Sequence, residues 1–225
     1  EIVDDVAWIA NSDEGTVVQV DLDRGTVTSR IPVGCQPSDV AASSDAVWVT
    51  SQGDNTVSRI DSDSMLVTDT IDVGFAPAAV EIAGDGVWVA SAGDNAVYRL
   101  DIESATVTDT IDVGDGPTAL AASDGAIWVA NYREDTVSRI DVDDAVVTDS
   151  ISVGDGPTAL AASADGIWVA QVGERAVSRI DIETRALEVD VTVGGVGTLL
   201  TSVAVADGAV WVSSTGDEGM VWRLA

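Results

Sequence analysis

Residues 112–151, DVGDGPTALAASDGAIWVANYREDTVSRIDVDDAVVTDSI, are one unit of a repeat that runs through this chain of 225 residues. The first part of the unit, GDGPTALAAS at residues 114–123, returns unchanged at residues 154–163. Tryptophan marks the period, in five steps of 40, 40, 40, 40 and 43 residues, at Trp8, Trp48, Trp88, Trp128, Trp168 and Trp211. A fixed period near 40 residues indicates a repeat architecture, in which each unit packs on its neighbours.

Each unit contains four short segments that are typical of β-strands. In the unit quoted above they are residues 118–123 (TALAAS), 126–130 (AIWVA), 136–141 (TVSRID) and 146–153 (VVTDSISV). Val, Ile, Thr and Trp fill these segments, Gly, Asp, Asn and Pro separate them, and no window shows the apolar period of a helix. Four strands per unit predict an all-β fold, a β-propeller of six four-stranded blades.

The repeat also predicts the domain organisation. We expect one domain over residues 1–225, with repeats at about 1–34, 35–74, 75–114, 115–154, 155–194 and 195–225. The first repeat retains at most a stub of its first strand, and the last stops after its third strand, so the first and last blades are predicted to be incomplete. Repeat five is followed by a longer connection, residues 194–202 (GGVGTLLTS), which lacks the proline found in the other connections.

The charge of the chain argues against two classes of partner. The formal net charge is −29, all ten basic residues are arginine, and the chain has no histidine. A field of this sign repels nucleic acid and anionic membranes, so we expect neither nucleic-acid binding nor membrane insertion. An acidic, lysine-free composition resembles that of proteins from halophiles; the alternatives are an acidic actinobacterial protein and a designed one.

The repeated frame P-x-x-x-A-x-S-D-G-x-x-W-V-A-N…T-V-S-R-I-D…V-T-D-T-I-x-V-G resembles the YVTN family of β-propeller repeats, with Trp where many members have Tyr. It is also similar to the NHL propellers and to propellers of the virginiamycin B lyase type. The resemblance to the YVTN family implies a propeller that is extracellular or at the cell surface and has no known catalysis. It implies a fold and a compartment, and no particular reaction.

The tryptophans at the repeat position are interpreted as packing groups between neighbouring sheets. In AIWVA, Ile127 and Val129 point to one face of the strand, and Trp128 points to the other with its two alanine neighbours. Both faces are apolar, as expected for a sheet that lies between two others. The alternative is a stacking platform for a sugar or a base.

Arginine recurs on the third strand and aspartate on the fourth. A hairpin in which paired residue numbers sum to 128 places the two positions opposite each other in the second repeat. In the first repeat both are lost together, to Gln19 and Ser29. We therefore predict cross-strand structural pairs within blades, rather than a ring of arginines that binds an anion. These pairs are Arg59–Asp69, Arg99–Asp109 and Arg139–Asp149.

Acidic turns follow the third strand of the repeats and suggest a divalent cation site. Carboxylates two residues apart can share a hard cation, as at Asp141 and Asp143. The full ligand spacing of a calcium loop is missing, and aspartate also stabilises turns through its own backbone. We favour turn formation, and predict no metal and no cofactor.

The sequence contains few side chains that are suited to catalysis. Without histidine there is no imidazole base and no histidine metal site. Cys35 has no neighbour in the sequence that would lower its pKa. Lyases of the virginiamycin B type use a histidine and a magnesium ion, so the resemblance does not carry that activity to this chain. We predict a non-enzymatic protein, with lyase activity as a disfavoured alternative.

Propellers bind ligands through loops at one end of the blades. By the topology of the family, these loops join the second and third strands and connect successive repeats. They are also the least regular positions of this repeat. The candidate binding residues are Gln36, Phe75, Asp115, Tyr132, Arg133, Asp155 and Arg175. We predict an extracellular or cell-surface scaffold that binds a protein or a glycan through this rim.

The last repeat suggests a second function. Its third strand carries Met220, Val221 and Trp222, and Trp222 stands where the other repeats have serine. A strand edge without a partner is a template for strand addition. The alternative function is therefore a structural subunit of a surface assembly or filament, joined by self-association through the last blade.

We expect the stability of the protein to rise with salt. Repulsion among the charges behind the net −29 is screened beyond about 10 Å at 0.1 M salt and beyond about 3 Å at 1 M. Thermal unfolding followed by circular dichroism from low to molar sodium chloride should show a rising melting temperature. A flat or falling melting temperature contradicts the halophilic interpretation.

Overall fold

A computed structural model describes residues 1–195, 197–216 and 219–224, apart from the side chains of Val189 and Asp190. Val196, in the long connection after repeat five, lies outside the described residues. Across the described part the secondary structure is all β, and it includes no helix that is long and apolar enough to cross a membrane. The described strands form six antiparallel sheets, the blades of a β-propeller, which confirms the predicted fold class.

The first three blades, except the last residue of the third, belong to a compact unit, Glu1–Ile111. Blade 1 consists of β1 (Ile2–Val3), β2 (Val6–Asn11), β3 (Thr16–Asp21) and β4 (Thr26–Pro32). Blade 2 consists of β5 (Pro37–Ala42), β6 (Ala46–Ser51), β7 (Thr56–Asp61) and β8 (Leu66–Asp72). Blade 3 consists of β9 (Pro77–Ala83), β10 (Gly86–Ser91), β11 (Ala96–Asp101) and β12 (Thr106–Asp112).

The other three blades belong to a second compact unit, Asp112–Ala225. Blade 4 consists of β13 (Pro117–Ser123), β14 (Ala126–Asn131), β15 (Thr136–Asp141) and β16 (Val146–Ser152). Blade 5 consists of β17 (Pro157–Ala162), β18 (Gly166–Gln171), β19 (Ala176–Asp181) and β20 (Leu187–Thr192). Blade 6 consists of β21 (Leu199–Ala206), β22 (Ala209–Thr215) and β23 (Met220–Leu224).

The incomplete blades are those that the sequence predicted. The first strand of blade 1 is a stub of two residues, β1, and the sheet of blade 6 has three strands among the described residues. The strands of blade 4 agree with the sequence-based segments to within one residue at each end. The alternation and the turn residues of the repeat are therefore sufficient to define the strands.

The register of the hairpin formed by the third and fourth strands determines on which face of the sheet each side chain lies. In blade 2, Val57 pairs with Ile71 and Arg59 with Asp69, as predicted, and a bulge then shifts the register so that Ile60 pairs with Val67. The same bulge recurs between the third and fourth strands of blades 1, 4 and 5. A bulge adds twist to the outer strand and re-aims the side chains that follow it.

The core consists of contacts between successive blades. In the second unit, the Trp128 face of blade 4 packs against Ile167 and Val169 of blade 5. In the first unit, the Trp48 face of blade 2 packs against Val87 and Val89 of blade 3. The tryptophan faces of blades 1 and 5 pack in the same way against blades 2 and 6, which confirms that Trp8, Trp48, Trp128 and Trp168 lie between sheets, whereas Trp211 of blade 6 is 40% exposed.

Candidate functional site

The two kinds of loop predicted to form the rim lie together in each of blades 2 to 5. A backbone amide of the loop between the second and third strands donates to a carbonyl of the loop that precedes the blade. The pairs are Gly53–Cys35 at 2.9 Å, Gly93–Phe75 at 2.9 Å, Arg133–Asp115 at 3.1 Å and Gly173–Asp155 at 3.0 Å. These hydrogen bonds give each blade a rigid loop pair.

Phe75 is the most exposed aromatic side chain of the rim in the first unit, with 63% of its surface accessible. Its backbone is held on both sides, because its amide donates to Asp94 Oδ2 at 2.9 Å and its carbonyl accepts from Gly93. The Tyr98 hydroxyl donates to the same carboxylate oxygen at 3.0 Å. Burial, and then the bond to Asp94, raise the pKa of Tyr98. A fixed loop therefore presents an apolar ring to solvent.

The rim of the second unit combines an aromatic ring with charge. Tyr132 is 41% exposed, and its ring lies beside Gly156 at the start of the next blade. The neighbouring Arg133 forms an exposed ion pair with Asp115, 3.3 Å from Nη1 to Oδ1. Asp155 is exposed, and its carbonyl accepts from Gly173. These four predicted residues occupy the loops of blades 4 and 5.

The other two predicted rim residues have a backbone role. Gln36 and Arg175 both adopt the left-handed conformation, with φ of 54° and 53°. The Gln36 carbonyl accepts from Gln52, and the Arg175 carbonyl accepts from Val193. The Arg175 side chain is half-buried, and its Nε has no hydrogen-bond partner in the described part of the chain. Neither residue extends an exposed apolar surface as Phe75 does.

The predicted arginine–aspartate pairs are formed loosely in two blades and replaced in a third. Arg59 lies 3.8 Å from Asp69, and Arg99 lies 3.8 Å from Asp109. The prediction of an Arg139–Asp149 ion pair is wrong. Arg139 instead donates to Thr148 at 2.9 Å, and Asp149 lies 3.5 Å from Arg185, which reaches over from blade 5.

A closer partner for the arginine is an aspartate in the turn between the first two strands. Arg99 contacts Asp85 at 2.7 Å, and Arg179 contacts Asp165 at 2.8 Å. Blade 4 has Gly125 at that position, which leaves Arg139 free to turn to Thr148. This aspartate stands three residues before the tryptophan in repeats one, two, three and five, but repeat one has Gln19 at the arginine position and Arg59 of blade 2 donates to the Glu103 carbonyl instead.

The arginine also lies over the tryptophan of its own blade, a contact that the repeat pattern did not predict. Each arginine of the third strand pairs in register with the tryptophan of the second, as Trp48 with Arg59. The distances from guanidinium carbon to ring centroid are 5.6 Å for Arg59–Trp48, 5.4 Å for Arg99–Trp88, 6.0 Å for Arg139–Trp128 and 5.9 Å for Arg223–Trp211. Such cation–π contacts contribute about 0.5–2 kcal/mol each. The constant spacing of 11 residues in repeats two to five was the available signal.

The acidic turns are organised by their own backbone. Asp61 Oδ1 accepts from the amide and the hydroxyl of Ser64, and Asp101 does the same with Ser104. The side-chain bond from Ser64 lowers the pKa of Asp61, and the amide of Ser104 lowers that of Asp101. Among the described residues, no group of three or more His, Cys, Asp or Glu side chains is placed to hold a metal ion.

Two carboxylates on first strands break the repeat in the first unit. Asp39 on β5 accepts from the amides of Val40 and Val80, both at 2.9 Å, and so joins blade 2 to blade 3. Burial raises the pKa of Asp39. On β9, burial and the carboxylate of Glu1 raise the pKa of Glu81 to about 7. Repeats two, four, five and six have alanine at this position and repeat one has Glu1, so comparing repeats would have singled out Glu81 among the complete blades.

The predicted assembly edge divides into two parts. Met220 and Val221 are exposed, and Val221 lies opposite Ser213 on the same face as Trp211. Trp222 points the other way. It pairs with Val212 and packs, half-buried, against the cluster of Val203 and Val212. Trp222 therefore belongs to the contact between blades 5 and 6, not to the exposed edge.

We predict that Glu81→Ala stabilises the protein at neutral pH and above. Because the folded pKa of about 7 lies above the usual 4.5, the folded state keeps a proton that the unfolded chain loses. The free energy of unfolding therefore falls as pH rises from about 4.5 to 7. Urea unfolding should show a gain for the variant of up to about 3 kcal/mol at pH 8, vanishing below pH 4.5. A gain that is independent of pH contradicts this, and Glu81→Gln is the conservative control.

No family model matches the sequence, and no curated protein matches it. Among solved structures, the chain is similar to a streptogramin B lyase, with a TM-score of 0.84 at 16% identity over 97% of this chain and 76% of that one. It is also similar to a catalytically inactive histidine-to-alanine variant of virginiamycin B lyase from Staphylococcus aureus with quinupristin, with a TM-score of 0.84 at 16% identity over 99% and 82%. A third similar structure is U3-55K, with a TM-score of 0.81 at 13% identity over 98% and 74%. These likenesses show the β-propeller fold alone.

Proposed function

We propose that this protein is a non-enzymatic β-propeller whose rim loops bind a protein or glycan partner outside the cell or at its surface. The observation that carries the proposal is Phe75, an apolar ring that a hydrogen-bonded loop holds 63% exposed. Exposed aromatic side chains on rigid loops supply contact area at little entropic cost. The resemblance to YVTN repeats supports the compartment, and the charge of −29 supports a halophilic source.

Two observations favour binding over lyase chemistry. The similar virginiamycin B lyase structure is of a variant that lost its activity with a histidine, and this chain has no histidine. The rim side chains described above offer aromatic rings, an arginine and carboxylates, but no imidazole base. These groups suit hydrogen bonding and stacking better than proton transfer at neutral pH.

We expect Phe75→Ser and Tyr132→Ser to weaken partner binding by about tenfold or more, because each removes an exposed aromatic contact. Binding to an array of defined oligosaccharides, and photo-crosslinking from the rim in an extracellular protein fraction, distinguish glycan from protein partners. The matched control for Phe75→Ser is Leu66→Ser, because Leu66 is as exposed as Phe75. The matched control for Tyr132→Ser is Val146→Ser, because Val146 is also exposed. Both controls lie at the start of fourth strands, away from the rim. Binding that is equally sensitive to the controls, or insensitive to the rim variants, contradicts the proposal.

A second candidate function, self-assembly, is favoured by one face of blade 6. Trp211 is 40% exposed, whereas Trp48, Trp88 and Trp128 at the same repeat position are fully buried. Val221 on the same face is 66% exposed, and Leu199 nearby is also exposed. An apolar face of this kind marks an interaction site. We propose that a second copy of this chain covers it, through the face of its blade 1 that leaves Ile9 50% exposed.

This contact would be heterologous, joining different faces of two copies, and such contacts build open or closed chains of subunits. We expect the parent protein to associate with rising concentration in light scattering after gel filtration. Val221→Asp should shift it to monomer, because it places a charge in the apolar contact, whereas Leu66→Asp should not. A parent protein that stays monomeric at every concentration contradicts self-assembly and leaves the rim proposal intact.

A further inference from the structure

A cavity of about 160 Å³ lies between blades 1 and 2, at the end of the blades where the first strand turns into the second. Its lining includes Asp4, Trp8, Gln19, Ser43, Ser44 and Ser62. All of these residues belong to the first unit, and none belongs to the rim loops. Two of them, Gln19 and Ser62, are departures from the repeat.

The first departure concerns the group that faces the tryptophan. In blades 2, 3, 4 and 6 an arginine guanidinium lies over the tryptophan ring, with its central carbon 5.4–6.0 Å from the ring centroid. In blade 1 the residue paired with Trp8 is Gln19. The Gln19 Oε1 accepts from Thr28 Oγ1 at 2.7 Å, on the neighbouring strand of the same blade. Trp8 therefore pairs across the two strands with an uncharged residue, whereas the other repeat tryptophans pair with arginine.

The second departure lies opposite, in the turn of blade 2 that contributes to the same cavity. The position of Ser62 is taken by Val142 and Ile182 in blades 4 and 5, where both side chains are buried. A serine here removes apolar volume beside the cavity. The Ser62 Oγ is shielded from solvent and has no hydrogen-bond partner in the described part of the chain. A shielded hydroxyl without a hydrogen-bond partner destabilises the fold.

The size and lining of the cavity define what it accepts. A cavity of about 150 Å³ holds one benzene molecule, so about 160 Å³ is enough for a planar guanidinium group on a short alkyl stem. Trp8 is only 5% exposed but lines the cavity, so a cation bound there would lie beside its ring. The hydroxyls of Ser43 and Ser44, which donate to Ala46 and Asp45, can accept hydrogen bonds, and the exposed Asp4 carboxylate lies at the wall. We propose that this cavity binds the guanidinium group of an external ligand, such as free arginine or an arginine side chain of a peptide.

The repeat itself supplies the variants that test the proposal. Gln19→Arg restores the residue of the other blades and should occupy the Trp8 face from within the chain. Ser62→Val restores the apolar volume of Val142 without adding charge. Gln52→Arg adds the same charge on an exposed rim loop and controls for the change in net charge.

Calorimetric titration at constant ionic strength would use methylguanidinium as the probe and methylurea as its neutral counterpart. We expect the parent and Gln52→Arg to bind methylguanidinium alike, and Gln19→Arg and Ser62→Val to bind it about tenfold more weakly or not at all. Free arginine and N-acetylarginine amide then distinguish an amino-acid ligand from a peptide ligand. Gln19→Arg should also raise the melting temperature, which shows that the new side chain occupies the site. Equal binding of methylurea, full binding by both filled variants, or no binding by the parent overturns the proposal.

Discussion

The contact between the tryptophan face of one blade and the β-branched face of the next is the interaction on which the rest of the structure depends. Within each unit it buries rings such as Trp48 and Trp128 against valine and isoleucine of the following sheet. Full burial of a side chain of this size contributes several kcal/mol, and each repeat contributes it again. A single sheet has two apolar faces and no stability of its own, so the blades are stable only as a stack.

The same contact determines where the few cations of this acidic chain are placed. Arg59, Arg99 and Arg139 lie over the tryptophans of their own blades, and Arg185 extends from blade 5 to the ring of Trp128. Arg99 and Arg179 also pair with turn carboxylates of their own blades, Asp85 and Asp165. Part of the positive charge therefore lies at the interfaces, while Arg24, Arg30 and Arg133 are exposed. The negative charge is distributed over the exposed outer strands and turns, where salt screens it.

Local patterns predicted the strands, the register of the Arg59–Asp69 hairpin and the rim loops, because these depend on alternation, turn residues and chain order. They failed where a neighbouring blade decides the outcome. Asp149 is engaged by Arg185 from blade 5, and Trp222 is directed inward by its pairing with Val212. The loss of Arg at Gln19 was visible in the sequence, but its meaning depends on Ser62, which only the fold brings to the same cavity.

The charge of the chain attracts every cation, so selectivity for one cation requires short-range contacts. The attraction of surface carboxylates acts through solvent and is largely screened beyond about 3 Å at 1 M salt. The attraction between a cation and an aromatic face is screened much less when the cation lies in a cavity and its hydrogen-bond donors have partners there. The arginines over Trp48, Trp88 and Trp128 are contacts of this second kind. The proposed guanidinium ligand would be held beside the ring of Trp8 by a contact of this second kind, which salt weakens less than it weakens the attraction of surface carboxylates.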